Sequence, residues 1–115
     1  MSLDIWLTIE CVEDTGRRVR RYGREVFEGN YTSNVFSMWR MAGVDDVLYE
    51  CAGAKAGELI DRLKFGVRCM RDNIDEYRKL NPPNGWGNAD GALQFLFDFT
   101  RACMRYPNAK VGVWR

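Results

Sequence analysis

The sequence predicts an α+β domain: a small antiparallel β-sheet, an N-terminal hairpin plus a C-terminal strand, with about three helices packed on one face. Three observations carry this expectation. Leu3, Ile5, Leu7, Ile9 and Cys11 alternate with Asp4, Trp6, Thr8, Glu10 and Val12, the period of a half-buried strand. Apolar residues then recur at helical spacing through the middle of the chain, and the period returns to two at Val111 and Val113. A chain of 115 residues suits one domain, residues 1–115, with one modest core.

The elements follow in order. After the first strand, Glu13-Asp14-Thr15-Gly16 is turn chemistry, because Asp bonds its own backbone and Gly accepts positive φ. A second strand returns over Arg18 to Glu28, and Gly23 interrupts its alternation, so a bulge or register slip is expected there. The polar run Gly29-Asn30-Tyr31-Thr32-Ser33-Asn34 is able to cap a helix. Val35, Met38, Trp39 and Ala42 fall at i, i+3, i+4 and i+7 before Gly43, which predicts a short helix and its stop. Asp45-Asp46 reads as an acidic connection. A longer helix is expected over about 54–73, burying Ile60, Leu63, Val67 and Met70. A shorter turn, Ile74 to Leu80, ends where Pro82 disfavours helix at Asn81. The last helix starts at a cap, Asn88 or Asp90, and runs to about Tyr106. Apolar residues cover most of it, and only Gln94, Asp98, Arg101 and Arg105 form a polar strip, so it should be the centre of the core. Lys110 to Arg115 forms the closing strand.

Composition narrows the chemistry. There is no histidine, which removes Ser-His and Cys-His nucleophile pairs, imidazole acid–base catalysis and His-containing zinc sites. Cys11, Cys51, Cys69 and Cys103 are widely spaced, so no Cys-x-x-Cys pair is available for zinc or redox exchange. They read as buried free thiols in a reducing cytoplasm, since Asp4 breaks any apolar leader. Carboxylate catalysis has Asp45-Asp46 and Asp72, Asp75 and Glu76 as candidates, without a third metal ligand nearby in sequence. No catalytic or metal-ligating residue and no cofactor is therefore assigned, and the chain is read as not an enzyme. Seventeen Lys+Arg against sixteen Asp+Glu leave a net charge of +1, so no long nucleic acid and no membrane partner is expected.

Three segments each have two readings. Arg17-Arg18-Val19-Arg20-Arg21-Tyr22-Gly23-Arg24 either grips phosphates beside a stacking tyrosine or is a charged strand edge that blocks unwanted sheet pairing. Gly29–Asn34 either caps a helix or presents converging amides and hydroxyls to a ligand. In Leu80-Asn81-Pro82-Pro83-Asn84-Gly85-Trp86-Gly87-Asn88 a stiff loop holds an aromatic plane among asparagines. That combination suits stacking and hydrogen bonding to a heterocycle, or else Trp86 plugs the loop onto the core.

Asn30-Tyr31-Thr32-Ser33-Asn34, then Met38 and Ala42-Gly43, then Asn81-Pro82-Pro83-Asn84-Gly85-Trp86-Gly87, resemble a family of small proteins of tailed phages, prophages and actinobacteria. In that family the first motif usually reads Asn-Ile-Thr-His-Asn and the second Asn-Pro-x-Asn-Gly-Trp-Gly. The resemblance spans essentially the whole chain and implies a phage setting, in the cytoplasm of an infected or lysogenic bacterium, but no activity. Ser33 stands where the family's histidine is usual. A catalytic role for that position would be lost here, whereas a capping or pocket-lining role would survive.

The resulting expectation is a non-enzymatic protein binding a small nucleotide-like ligand, in the phage setting a sequestering agent for a nucleotide immune signal of the host. Its ligand-binding residues would be Asn30, Thr32, Asn34, Trp39, Arg40, Asn84, Trp86 and Asn88. The arginines would pair phosphates, Trp86 or Trp39 would stack the base, and the asparagines would read its edges. The alternative is a protein-interaction module, inhibitory or accessory to a host or phage protein, using Trp6, Val12 and Trp114. A homodimer is expected in either case, because the sheet would leave two open edges.

Overall fold

A computed structural model describes residues 1–115. Strand β1 (Ser2–Asp14) runs antiparallel to β2 (Val19–Thr32), and β3 (Lys110–Trp114) pairs with the other edge of β1. The sheet order β2-β1-β3 makes the alternating first strand the central one. Leu3, Ile5 and Leu7 are fully buried under the helices. The other side of β1 carries Asp4, Trp6 and Thr8, each half-buried. The architecture is the expected α+β sheet with its helices on one face.

Two features of the hairpin differ from expectation. The second strand does not stop at Glu28 but continues to Thr32, pairing Gly29 with Ile5 and Tyr31 with Leu3. The polar run is recruited into the sheet because Phe27, Gly29 and Tyr31 extend the period-two face that β1 needs covered. The irregularity also lies elsewhere than at Gly23, which sits in register opposite Glu10. Leu7 pairs with Phe27 and Thr8 with Glu25, leaving Val26 as the extra residue. This bulge lets Val26 and Phe27 both face the last helix, where they line one groove.

The helical side contains α1 (Phe36–Met41), α2 (Asp45–Tyr49), α3 (Ile60–Asp72), α4 (Ile74–Arg78) and α5 (Ala89–Arg105). The acidic connection is thus a helix, with Asp45 and Asp46 in the first turn of α2, where carboxylates oppose the positive end of the helix dipole. Val47 and Leu48 bury its other side. Arg62 grips Asp46 through two 2.7 Å hydrogen bonds and donates to the Gly43 carbonyl at 2.8 Å, which holds the Asp46 carboxyl below the usual carboxylate range.

The long middle helix begins later than its periodicity suggests. Residues 56–59 form a 3-10 turn whose backbone is claimed by the chain ahead of β3. Ala56 N–H donates to Ala109 O and Gly57 N–H to Pro107 O, both at 2.8 Å, and Val111 N–H donates to Ala54 O at 2.9 Å. With those groups committed, α-helical bonding starts only at Ile60.

Helix α5 is the centre of the core. Asn88 caps it, its side-chain oxygen accepting from Gly91 N–H at 2.7 Å. Phe95, Leu96, Phe99 and Cys103 are buried, while Gln94, Asp98, Arg101 and Arg105 form the expected exposed strip. Phe97 and Met104, read as apolar cover, remain 42% and 49% exposed. Cys51 and Cys103 are buried free thiols, and burial pushes them up to about 11 and about 12. Cys11 and Cys69 are only half-buried.

The hairpin extends past its helical cover. Every residue from Val12 to Glu25 is exposed, and the molecule measures 60 Å along its longest axis. Its radius of gyration is 16.0 Å, against about 13 Å for a compact chain of this length. The arm's register sorts its arginines. Arg20 and Arg24 lie on the helix side, opposite Glu13 and Ile9. Arg21 lies on the far side, 3.5 Å from Glu10.

Gly66 of α3 packs closely on the connection between α1 and α2: a Cβ there would run into the Val44 methyl and sit 3.4 Å from Leu96. Gly66→Ala should therefore lower stability by about 1–2 kcal/mol in urea denaturation, since overpacking outweighs the gain in helix propensity. Adding Val44→Ala should relieve part of that loss.

Candidate functional site

Strand β2 and the Asn81–Asn88 loop meet at one end of the sheet. Between them lies an open cleft of about 580 Å³, lined by Met1, Ser2, Asn30, Thr32, Asn34, Asn84 and Trp86. Five of the eight expected ligand residues, from two segments that are far apart in sequence, share this lining.

Each is held by a local device. Asn30 projects from the sheet face away from the helices and donates its amide N–H to Asp4 Oδ1 across the hairpin at 2.6 Å. That bond orients the amide and leaves its carbonyl oxygen as the free acceptor. Thr32 accepts from Asn34 N–H at 3.3 Å and caps the 3-10 turn Ser33–Val35. Asn34 reaches across to the Trp86 carbonyl at 3.5 Å. Asn84 closes an Asx turn by accepting from Trp86 N–H at 3.0 Å. The Trp86 indole is 69% exposed: the plane is presented at the rim and does not plug the core.

The loop is pinned at both ends. Asn81 Oδ1 accepts from Ala89 N–H at 2.8 Å, and the Tyr31 hydroxyl accepts from Asn88 N–H at 3.1 Å. Gly87 has φ +88, and a Cβ there would lie 2.5 Å from the Thr32 methyl. Only glycine lets the loop pass so close to β2.

Three of the expected residues lie outside the cleft. Trp39 is fully buried, its indole N–H donating to Ala92 O at 3.3 Å and its ring packed on Phe95 and Tyr31. It cannot stack a ligand, because its position on α1 points it into the core. Arg40 is exposed in the last turn of α1 and does not line the cleft. Asn88 spends its side-chain oxygen on capping α5. No arginine lines the cleft, so its recognition chemistry is amide, hydroxyl and indole.

Two contributors were not singled out from sequence. Asp4, which orients Asn30, becomes visible only once the register is known. Tyr31, which anchors the loop, carried a signal in its inward position on the extended strand. Ser33 is turned from the cleft and accepts from the Tyr49 hydroxyl at 3.0 Å; its role is to tie α2 to the end of β2.

The other constellations are tied up in pairs. Asp75 and Asp90 share Arg78 at 2.9 and 2.8 Å, and Glu76 pairs with Lys79 at 3.0 Å. No group of three His, Cys, Asp or Glu residues is placed to hold a metal ion. Trp6 is half-buried, lying where a Gly112 side chain would be, and Trp114 is 71% exposed diagonally from it. Val12 lies six residues beyond Trp6 on the arm, so these residues do not form one patch. No helix is long and apolar enough to cross a membrane.

No protein-family profile, curated protein or solved structure matches the chain.

Gly87→Ala should cost more stability than Gly16→Ala in urea denaturation. Both glycines have positive φ, worth about 1–2 kcal/mol to a side chain, but Gly16 has nothing within 4 Å of its would-be Cβ.

Proposed function

We propose that the protein is a non-enzymatic binding protein for a small polar ligand with a planar heterocycle, held in the amide-lined cleft. The observation that carries this reading is the convergence of Asn30, Thr32, Asn34 and Asn84 around the exposed Trp86 indole. A stacking plane beside several amide donors and acceptors matches the face and the edges of a nucleobase. The neutral lining fits the base and sugar of a nucleotide; its phosphates would lie outside the cleft. The motif resemblance extends the reading to a phage protein that sequesters a host's nucleotide immune signal.

The reading predicts that nucleosides and nucleotides, linear or cyclic, raise the melting temperature in thermal-shift assays, while ribose 5-phosphate does not. Trp86→Ala should remove about 1–3 kcal/mol of binding, the usual worth of one base stacked on an aromatic ring, with little change in the unliganded melting temperature. Absence of stabilisation by any nucleotide at millimolar concentration, or undiminished binding by Trp86→Ala, rejects it.

A homodimer is part of the same proposal. Only β2 leaves its whole outer edge open, because Val111 of β3 already bonds Gly53 and Ala54 at 2.8 and 2.9 Å, so one of the two expected open edges is partly covered. The arm is a two-stranded ribbon without cover, an arrangement that is marginal in water by itself. Light scattering should give about twice the 13.3 kDa chain mass; a monomeric mass at tens of micromolar removes this part.

A further inference from the structure

A net charge of +1 conceals a local cluster of cations between two helices. Asp4, Glu10, Asp14, Glu25 and Glu28 lie on the side of the sheet away from the helices, as their pairing register requires. On the helical side, Lys64, Arg68 and Arg71 recur on α3 at i, i+4 and i+7, along about 10 Å of helix. Together with Arg101 of α5 they line a groove of about 330 Å³ between the two helices, and no carboxylate lines it. Arg71 reaches its exposed neighbour Asp72 at 3.4 Å, and the other three cations form no ion pair. Arg62, on the same helix, shows what an engaged arginine looks like here, held by Asp46 and the Gly43 carbonyl.

The groove also has an aromatic and an aliphatic member. Phe97 and Met104 line it half-exposed, with the Arg101 guanidinium 5.8 Å from the centre of the Phe97 ring. A row of cations beside an accessible ring has the composition of a surface that tracks a phosphodiester backbone and stacks its bases.

We infer that the groove between α3 and α5 binds single-stranded nucleic acid, with successive phosphates on Lys64, Arg68, Arg71 and Arg101 and a base on Phe97. A duplex keeps its bases stacked inside and leaves Phe97 and Met104 without a partner. A flat anionic lipid surface would meet the rims of a concave groove and not the ring between them. The groove lies outside the amide-lined cleft, shares no residue with it and does not depend on the ligand proposed there.

Fluorescence anisotropy of a short labelled oligothymidylate tests this. Wild-type protein should bind it saturably at low salt. Affinity should fall with salt at a log–log slope of about −2 to −3, the value for three or four phosphates of a single strand. The exposed-site triple variant Lys64→Gln/Arg68→Gln/Arg101→Gln should lose at least about tenfold in affinity, about 1.4 kcal/mol, with an unchanged urea midpoint. Phe97→Ala should weaken binding without changing the salt slope, and Trp86→Ala should bind as wild type does. The inference is overturned if the oligonucleotide does not bind at low salt, or if the triple variant keeps its affinity. Equal or tighter binding of a duplex of the same length, or binding of anionic vesicles in its place, overturns it as well.

Discussion

The packing of Tyr31 against Trp39 and Phe95 is the contact on which the rest of the molecule depends. The three rings lie 5.3 to 6.3 Å apart, centre to centre, and belong to β2, α1 and α5. Aromatic burial of this kind supplies both apolar area and preferred geometry, and here it fixes the sheet, the first helix and the central helix at one point. Tyr31 then has only its hydroxyl left for polar contact. That hydroxyl accepts from the Asn88 backbone at the start of α5, so the core contact also anchors the loop that carries Trp86. The neighbours of Tyr31 on β2, Asn30 and Thr32, alternate to the opposite face and become cleft residues. A core residue and two site residues are thus placed by one strand and one register.

The bulge at Val26 is the second decision. Beyond it the period of two is reversed, and a one-residue slip moves every later side chain to the other face of a strand. Without the extra residue, Glu25 would continue on the helix side and Arg24 would leave it. With it, Arg20 and Arg24 join the face that carries α3 and α5, and Glu25 joins Asp4, Glu10 and Glu28 on the other. The faces taken by Glu25 and by Arg20, Arg21 and Arg24 therefore have a backbone cause. The same extended arm accounts for the elongated shape, since no helix continues far enough along the sheet to cover it.

Ser33 is held by two hydrogen bonds that leave it no part in the cleft. Ser33 takes a hydrogen bond from Tyr49 and donates its backbone N–H to Met1 O at 3.1 Å. Burial raises the Tyr49 hydroxyl above its ordinary value, so Tyr49 serves as a neutral donor to Ser33. Ser33 is thus a joint between β2 and α2. The cleft is built from neighbours that point the other way.

The sequence by itself determined the fold class, because period-two and helical spacing are local properties of the chain. It also narrowed the cap of α5 to Asn88 or Asp90, marked its polar strip, and singled out the two segments that meet at the cleft, each with a structural and a binding reading. What only the tertiary structure decided are matters of partnership. The α2 helix was hidden by the acidic residues that start it, and the late start of α3 by backbone bonds to residues 107–111. Trp39 reads as an available aromatic until the packing of α5 closes over it. Arg40 reads as a ligand residue, and the arm arginines as either phosphate contacts or a charged edge, until register and orientation place them away from the cleft. In each case the deciding quantity is which distant group satisfies a backbone donor or covers an apolar side chain, and a pattern along the chain does not contain it.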